Sequence, residues 1–149
     1  MTIKEYLSQL TDIRLRIEAI ERSIEKCYSN AEKTTSTTSE VPNHTLGTTS
    51  NKVEENVLKV VEYKQQLESL ENQFEEFAFR ATCEINKIQD NVLVALLINK
   101  YVCGLTWEEV SEIIDKNLDY TKKELHTKAL KEFEKMNPNY PSKSPCIPA

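Results

Sequence analysis

A chain of 149 residues, of which 39% are hydrophobic and 29% charged, has room for one or two small domains with modest cores. Its net charge of −5 disfavours a DNA-binding domain that acts alone, since such domains usually present a basic surface to the phosphates. No apolar run reaches the ~18 residues of a membrane span, and the first ten residues lack a signal-peptide pattern, so we expect a cytoplasmic protein with no membrane partner.

The first predicted element is a long amphipathic helix. Apolar residues recur at alternating steps of three and four from Ile3 to Cys27, which is the pattern of a coiled-coil seam. This seam predicts one helix of about 25 residues. Its members are Ile3, Tyr6, Leu10, Ile13, Ile17, Ile20, Ile24 and Cys27.

A second seam predicts another long helix, from about Asn51 to near residue 88. Between the two helices, Ser29 to Ser50 is rich in serine and threonine, contains Pro42 and Gly47, and is predicted to be a flexible linker. Residues 1–88 are therefore predicted to form a two-helix coiled-coil hairpin. The second seam consists of Val53, Val57, Val60, Leu67, Leu70, Phe74, Phe77 and Ala81, with Lys64 as its one polar interruption.

Two features of this region concern assembly. The linker is much longer than a tight helical turn, so exchange of the first helix between subunits is an alternative to pairing within one chain. Apolar residues outside the seams favour a further helical partner, and a second copy of the chain is the most economical one, so we expect a homodimer. These residues are Leu15, Leu58, Val61 and Tyr63.

Residues 89–136 are predicted to form three short helices in helix-turn-helix order. The first follows Asp90 as N-cap and ends at Gly104, one of only two glycines, which is predicted to adopt a left-handed conformation. The second begins after Thr106, which can form a capping box with Glu109. Its predicted inward residues are Val110, Ile113 and Ile114.

The third helix of this unit is predicted to begin at Thr121, with Asp119 as a competing N-cap, and to end before Pro138. Its predicted inward residues are Leu125, Ala129, Leu130 and Phe133. Residues 137–149 contain four prolines and are predicted to form a disordered tail.

The outward face of the third helix is the candidate DNA-binding surface. Five lysines and two acidic residues between Lys116 and Lys131 give this segment a net charge of +3. The residues expected at base edges are Tyr120, Lys123 and Thr127. Those expected at phosphates are Lys116, Lys122, Lys128 and Lys131. His126 is expected at the rim or in the core, and Trp107 at the base of the unit. The alternative is that the lysines only solvate an amphipathic helix.

Three segments carry a family resemblance: "KEYL" at Lys4, "KYVCGLTWEEVSEII" at Lys100 and "ELHTKALKEF" at Glu124. Through them the chain resembles a family of small phage and prophage proteins of Gram-positive bacteria, described as a domain of unknown function. It is more distantly similar to late-gene transcription activators of the ArpU and RinA types. The C-terminal segments look like sigma-factor region 4, whose last helix reads the major groove. The resemblance implies a role in DNA-linked regulation of transcription.

The chain departs from the region 4 pattern in three places. The turn between the second and third helices holds one residue more than usual, and Leu118 stands where a small polar N-cap is common. Lys122 stands where an inward apolar residue is usual, so either the third helix begins in a rotated register or the core is looser than that of its relatives.

Catalytic and metal-binding patterns are not evident. The four cysteines form no CxxC pair, and the two histidines, His44 and His126, have no partners in a common catalytic motif. Acidic residues of the second long helix have no histidine among them and are interpreted as a solvated face. We therefore expect no enzyme activity, no cofactor and no metal.

Two functions fit these observations. The first is a phage or prophage transcription regulator, an activator of late genes that binds promoter double-stranded DNA, with RNA polymerase or another phage regulator as further partner. The second is a coiled-coil interaction protein with a degenerate helix-turn-helix, which binds a transcription regulator, RNA polymerase or a phage packaging component.

Overall fold

The computed structural model describes the backbone of residues 1–38 and 46–139 and the side chains of residues 1–30 and 53–139. Within these ranges all regular structure is helical, which confirms the predicted all-α class. None of the described helices combines the length and the apolar composition that crossing a membrane requires.

The two N-terminal helices are longer than predicted. Helix α1 spans Ile3–Thr38 and helix α2 spans Leu46–Ile85. The prediction of a linker from residue 29 to residue 50 is therefore wrong at both ends, and so is the predicted start of α2 near Asn51. No glycine or proline occurs between residues 29 and 38, and serine and threonine are only moderately unfavourable in a helix. The predicted flexibility of residues 39–45 lies outside the described residues.

Three shorter helical segments follow. Helix α3 spans Asn91–Leu97 and continues without a break into a π-helical turn, Ile98–Val102. Helix α4 spans Trp107–Ile114. Helix α5 is continuous and comprises Leu118–Tyr120, a π-helical turn at Thr121–Leu125, and His126–Met136. It ends just before Pro138, as predicted; the predicted disorder of the tail falls on residues 140–149, outside the described residues.

The chain divides into two compact units, and they differ from the predicted boundary at residue 88. The first unit combines Met1–Ile13 with the chain from Phe74 onward, and the second unit is Arg14–Gln73. Each unit therefore takes one segment from α1 and one from α2. The core of the first unit contains residues from both of its segments: Leu7, Leu10, Ile85, Ile88, Leu93, Leu96, Leu97, Val110, Ala129 and Phe133.

The beginning of α1 is part of the core of the first unit. The Tyr6 ring lies 5.2 Å from the Phe77 ring and 6.2 Å from the Phe133 ring, measured between centroids. Its hydroxyl donates a hydrogen bond to Oε1 of Glu84 at 2.8 Å, and burial raises its pKa above the usual range. Leu7, which the predicted seam omits, is fully buried. These contacts join α1, α2 and α5 in one core.

In the second unit the seam of α2 has a different register from the predicted one. The partly buried residues are Asn56, Val60, Tyr63, Leu67 and Leu70. Val53 and Val57, predicted to be inward, are exposed, and Tyr63, predicted to be exposed, is partly buried. The inward positions keep steps of three and four once Asn56 and Tyr63 replace Val57 and Lys64. Because the outward residues Val53 and Val57 are apolar, the sequence pattern alone favours the wrong register.

Candidate nucleic-acid interface

Helix α4 is held at both ends by local backbone interactions. Gly104 has a φ of 72°, the left-handed conformation predicted for it. Thr106 is the N-cap, as predicted, and its Oγ1 accepts a hydrogen bond from the Glu109 amide at 3.2 Å, which is one of the two hydrogen bonds of a capping box. At the other end Asp115 adopts a left-handed φ of 55°. A short turn, residues 115–117, then leads into α5.

The inward face of α4 is shifted around the helix from the predicted one. Val110 is completely buried and Ile114 partly buried, but Ile113 is 55% exposed, so its predicted inward position is wrong. Ser111 takes the inward place instead, and its hydroxyl donates to the Glu108 carbonyl at 2.8 Å. In a helix of about two turns, residues 107, 110, 111 and 114 share one side, whereas residue 113 lies well away from it.

The start of α5 also differs from prediction. Asn117 is the N-cap, and its Oδ1 accepts hydrogen bonds from the amides of Asp119 at 2.9 Å and Tyr120 at 3.3 Å. The predicted caps, Thr121 and Asp119, both lie inside the helix. Thr121 is instead completely buried, and its hydroxyl donates to the Asn117 carbonyl at 2.8 Å. This earlier start explains why no small polar residue is needed at position 118.

A π-helical turn places the following residues of α5. The His126 amide donates to the Thr121 carbonyl, five residues back instead of four. Such a turn takes up one extra residue without breaking the helix. Thr121 thereby occupies the inward position that had been assigned to Lys122, which is exposed. This is the rotated register, one of the two alternatives that the sequence leaves open, and Lys122 does not enter the core.

Every residue predicted to contact DNA is exposed. Tyr120, Lys123 and Thr127 lie on the outward side of α5, opposite the buried Leu125 and Ala129. The residues predicted at phosphates are exposed too: Lys116, Lys122, Lys128 and Lys131. The structure thus brings the predicted residues onto one helix and its preceding turn, with side chains available to a ligand.

Thr127 has a restricted hydrogen-bonding role on this surface. Its Oγ1 donates a hydrogen bond to the Lys123 carbonyl at 2.7 Å, one turn earlier in the helix. The hydroxyl proton is therefore already used, so toward a base edge Thr127 offers an acceptor oxygen and a methyl group. Those groups suit an amino group or the methyl group of thymine.

Beneath this surface lies an aromatic cluster centred on His126. The His126 Nε2 and the Tyr101 hydroxyl are 2.7 Å apart and buried, and the Trp107 ring meets the imidazole edge-on at 4.7 Å between centroids. Burial, together with the positive charges of Lys4 and Lys100, lowers the pKa of His126 to about 4. Burial also raises the pKa of Tyr101 to about 12. The pair is neutral at pH 7 and holds α3 against α5.

Lys100 completes the cluster and was not singled out from the sequence. Its Nζ lies 4.8 Å from the centre of the Trp107 ring and 3.4 Å from the Leu105 carbonyl oxygen, which accepts its hydrogen bond. Its pKa is lowered, chiefly by burial and also by the charge of Lys122, while Glu108 opposes the shift. The only sequence signal was a lysine in the last turn of an apolar helix, which does not distinguish a packed side chain from a solvated one.

Other kinds of site find little support in the described residues. Among them, no group of three or more histidine, cysteine or acidic side chains is placed to hold a metal ion. His126 is committed to Tyr101 and Trp107, while Cys83 and Cys103 are exposed thiols. The exposed face of α5 is therefore the best candidate for a functional surface.

Comparison with known proteins adds no assignment to this geometry. No protein-family model matches the chain, and neither a curated protein nor a solved structure does.

Proposed function

We propose that the protein is a DNA-binding transcription regulator of a phage or prophage, acting as an activator of late genes. The observation that carries the DNA-binding part is the lysine-rich exposed face of α5, which is set on a buried core and preceded by a short turn from α4. The phage and late-gene part rests on the sequence resemblance described above. In this proposal the protein is not an enzyme and needs no cofactor.

In this proposal α4 and α5 act as the two helices of a helix-turn-helix, and α5 enters the major groove. Tyr120 and Lys123 lie in the first half of α5 and would reach base edges together with Thr127. Phosphates on either side of the groove would be contacted by Lys116, Lys122, Lys128 and Lys131. The neutral His126–Tyr101 pair supports the recognition helix from behind and contributes no charge at pH 7.

Charge determines how strong this binding is. The basic segment belongs to a chain of net charge −5, and α4 bears exposed carboxylates at Glu108, Glu109 and Glu112. These groups oppose the approach of DNA wherever they lie within about a Debye length, ~10 Å at 0.1 M salt, of the phosphates. We therefore expect modest affinity with a strong dependence on salt concentration.

The proposal is tested by measuring binding to upstream regions of the protein's own genome, using mobility shift or fluorescence anisotropy at several salt concentrations. Lys123→Ala and Lys128→Ala should each weaken binding, and loss of a phosphate contact at Lys128 should lower the salt slope by about one. Lys87→Ala removes the same charge from an exposed site outside α5 and should leave binding unchanged. Equal binding by all three variants and the wild type would show that α5 is not the DNA-binding surface.

A second function, protein binding through a degenerate helix-turn-helix, has one specific observation in its favour. The acidic residues of α4 are accompanied by the exposed Ile113, which together would suit a basic and partly apolar protein surface on a regulator, RNA polymerase or packaging component. The other observations behind this hypothesis give it less support, because Lys122 is exposed. The extra residue between the second and third helices is also taken up by the π-helical turn of α5. Co-purification from phage-infected cells distinguishes the two: promoter DNA without a protein partner would contradict the second function.

A further inference from the structure

The second unit presents an apolar stripe on the outward side of α2. Val57, Leu58 and Val61 are 57%, 66% and 47% exposed. Val57 and Val61 are four residues apart, so they stack along the helix, and Leu58 lies beside Val61. The inward side of the same helix is the separate seam through Val60 and Leu67. Helix α2 therefore has two apolar faces, of which only one is buried within the unit.

Charged residues border this stripe in a symmetric order. Glu54 lies three residues before Val57, and Lys64 lies three residues after Val61; both are exposed. Along the helix the order is acidic, valine, valine, basic. When two such helices run in opposite directions, each acidic residue meets a basic one and each valine meets the other valine. The stripe is thus complementary to a second copy of itself.

We propose that this stripe is a dimerisation surface and that its occupant is α2 of a second copy of the chain, packed antiparallel. The two-fold axis passes near residue 59. Val57 of each copy then packs against Val61 of the other, Glu54 lies opposite Lys64, and the two Leu58 side chains meet beside the axis. Within the chain, the Lys64 ammonium lies 5.9 Å from the centre of the Tyr28 ring of α1.

The charges favour the antiparallel arrangement of these helices over the parallel one. In a parallel pair Glu54 would face Glu54 and Lys64 would face Lys64, and like charges at such positions destabilise the interface. The stripe is only about three turns long, so the dimer is expected to dissociate on dilution. Assembly through this surface does not require DNA, so its test is independent of the proposed transcriptional role.

Charge exchange tests the direction of packing. Sedimentation equilibrium of the full chain without DNA should show a monomer–dimer equilibrium for the wild type. Glu54→Lys and Lys64→Glu should each weaken the dimer, and the double variant should restore it, because each pair again contains opposite charges. A wild type that stays monomeric, or single variants that dimerise as well as the wild type, would overturn the proposal.

A matched pair of apolar substitutions tests the location of the surface. Val57→Asp buries a charge without a partner in the proposed interface and should raise the dissociation constant by at least about tenfold. Leu15→Asp makes the same kind of change at a site of similar exposure, 58%, on α1. The sequence pattern groups Leu15 with Leu58 and Val61, but the proposed interface leaves it out, so this variant should have little effect. Both sites are exposed, so circular dichroism should show unchanged folding. If Leu15→Asp dissociates the dimer and Val57→Asp does not, the interface lies elsewhere.

Discussion

His126 illustrates how one buried residue links pH to stability. Its pKa is about 4 in the folded chain, against about 6.5 for an unperturbed histidine. Between these values the unfolded chain binds a proton that the folded chain does not, so stability falls as the pH is lowered through this range. From pH 7 to pH 5 we expect a loss of about 1 to 2 kcal/mol in the free energy of unfolding.

Urea unfolding of His126→Gln at the two pH values checks this assignment. The variant should be less pH-dependent than the wild type, because the group that titrates is gone. His44→Gln provides the control, since His44 is the only other histidine in the chain, and that variant should keep the pH dependence of the wild type. If His126→Gln retained the full loss of stability at pH 5, another group would have to be responsible.

Individual residues also show why the sequence predicts the candidate surface on α5 but not the polar side chains that pack beneath it. Lysines at 116, 122, 123, 128 and 131 form a basic run whatever the register of the helix. Thr121 is completely buried and Lys100 is partly buried. Each side chain donates a hydrogen bond to a backbone carbonyl, that of Asn117 for Thr121 and that of Leu105 for Lys100. A pattern of apolar residues has no means of predicting such positions.

At the scale of elements, the start of α5 gives a direct test of the cap. Asn117→Ala removes the acceptor of two amide hydrogen bonds and should destabilise the first unit by about 1 kcal/mol. Asp119→Ala should cost less, since Asp119 lies inside the first turn, where its negative charge contributes only a few tenths of a kcal/mol through the helix dipole. Thermal or urea unfolding followed by the fluorescence of Trp107, the single tryptophan, measures both. The opposite ranking would favour the cap predicted from the sequence.

The sequence predicts where helices begin and end better than it predicts which side of each helix is buried. Asp90, Gly104 and Thr106 marked helix ends correctly because capping depends on a few neighbouring residues. The two π-helical turns, at Ile98–Val102 and Thr121–Leu125, have no comparable sequence signal, and each shifts the side chains that follow. In α2 the exposed valines lie at the spacing of a coiled-coil seam, so the predicted and observed seams differ between residues 53 and 64.

At the scale of the whole molecule, the first unit depends on residues far apart in the chain. Leu7 and Phe133 are both completely buried in one core. Leu7→Ala should therefore destabilise the unit that contains α5 by about 2 to 4 kcal/mol. Leu15→Ala shortens a leucine of the same helix that is 58% exposed, and should cost less than about 0.5 kcal/mol. Urea unfolding monitored at Trp107 compares the two, and equal effects would place Leu7 outside the core.

This dependence has a consequence for synthesis of the protein. The second unit, Arg14–Gln73, is continuous in sequence, so all of its residues are synthesised before α5. The first unit needs both Leu7 and Phe133, and it closes only after the last helix emerges. Vectorial synthesis therefore favours formation of the second unit first. The candidate DNA-binding surface is therefore completed last, when the beginning of α1 packs against α5.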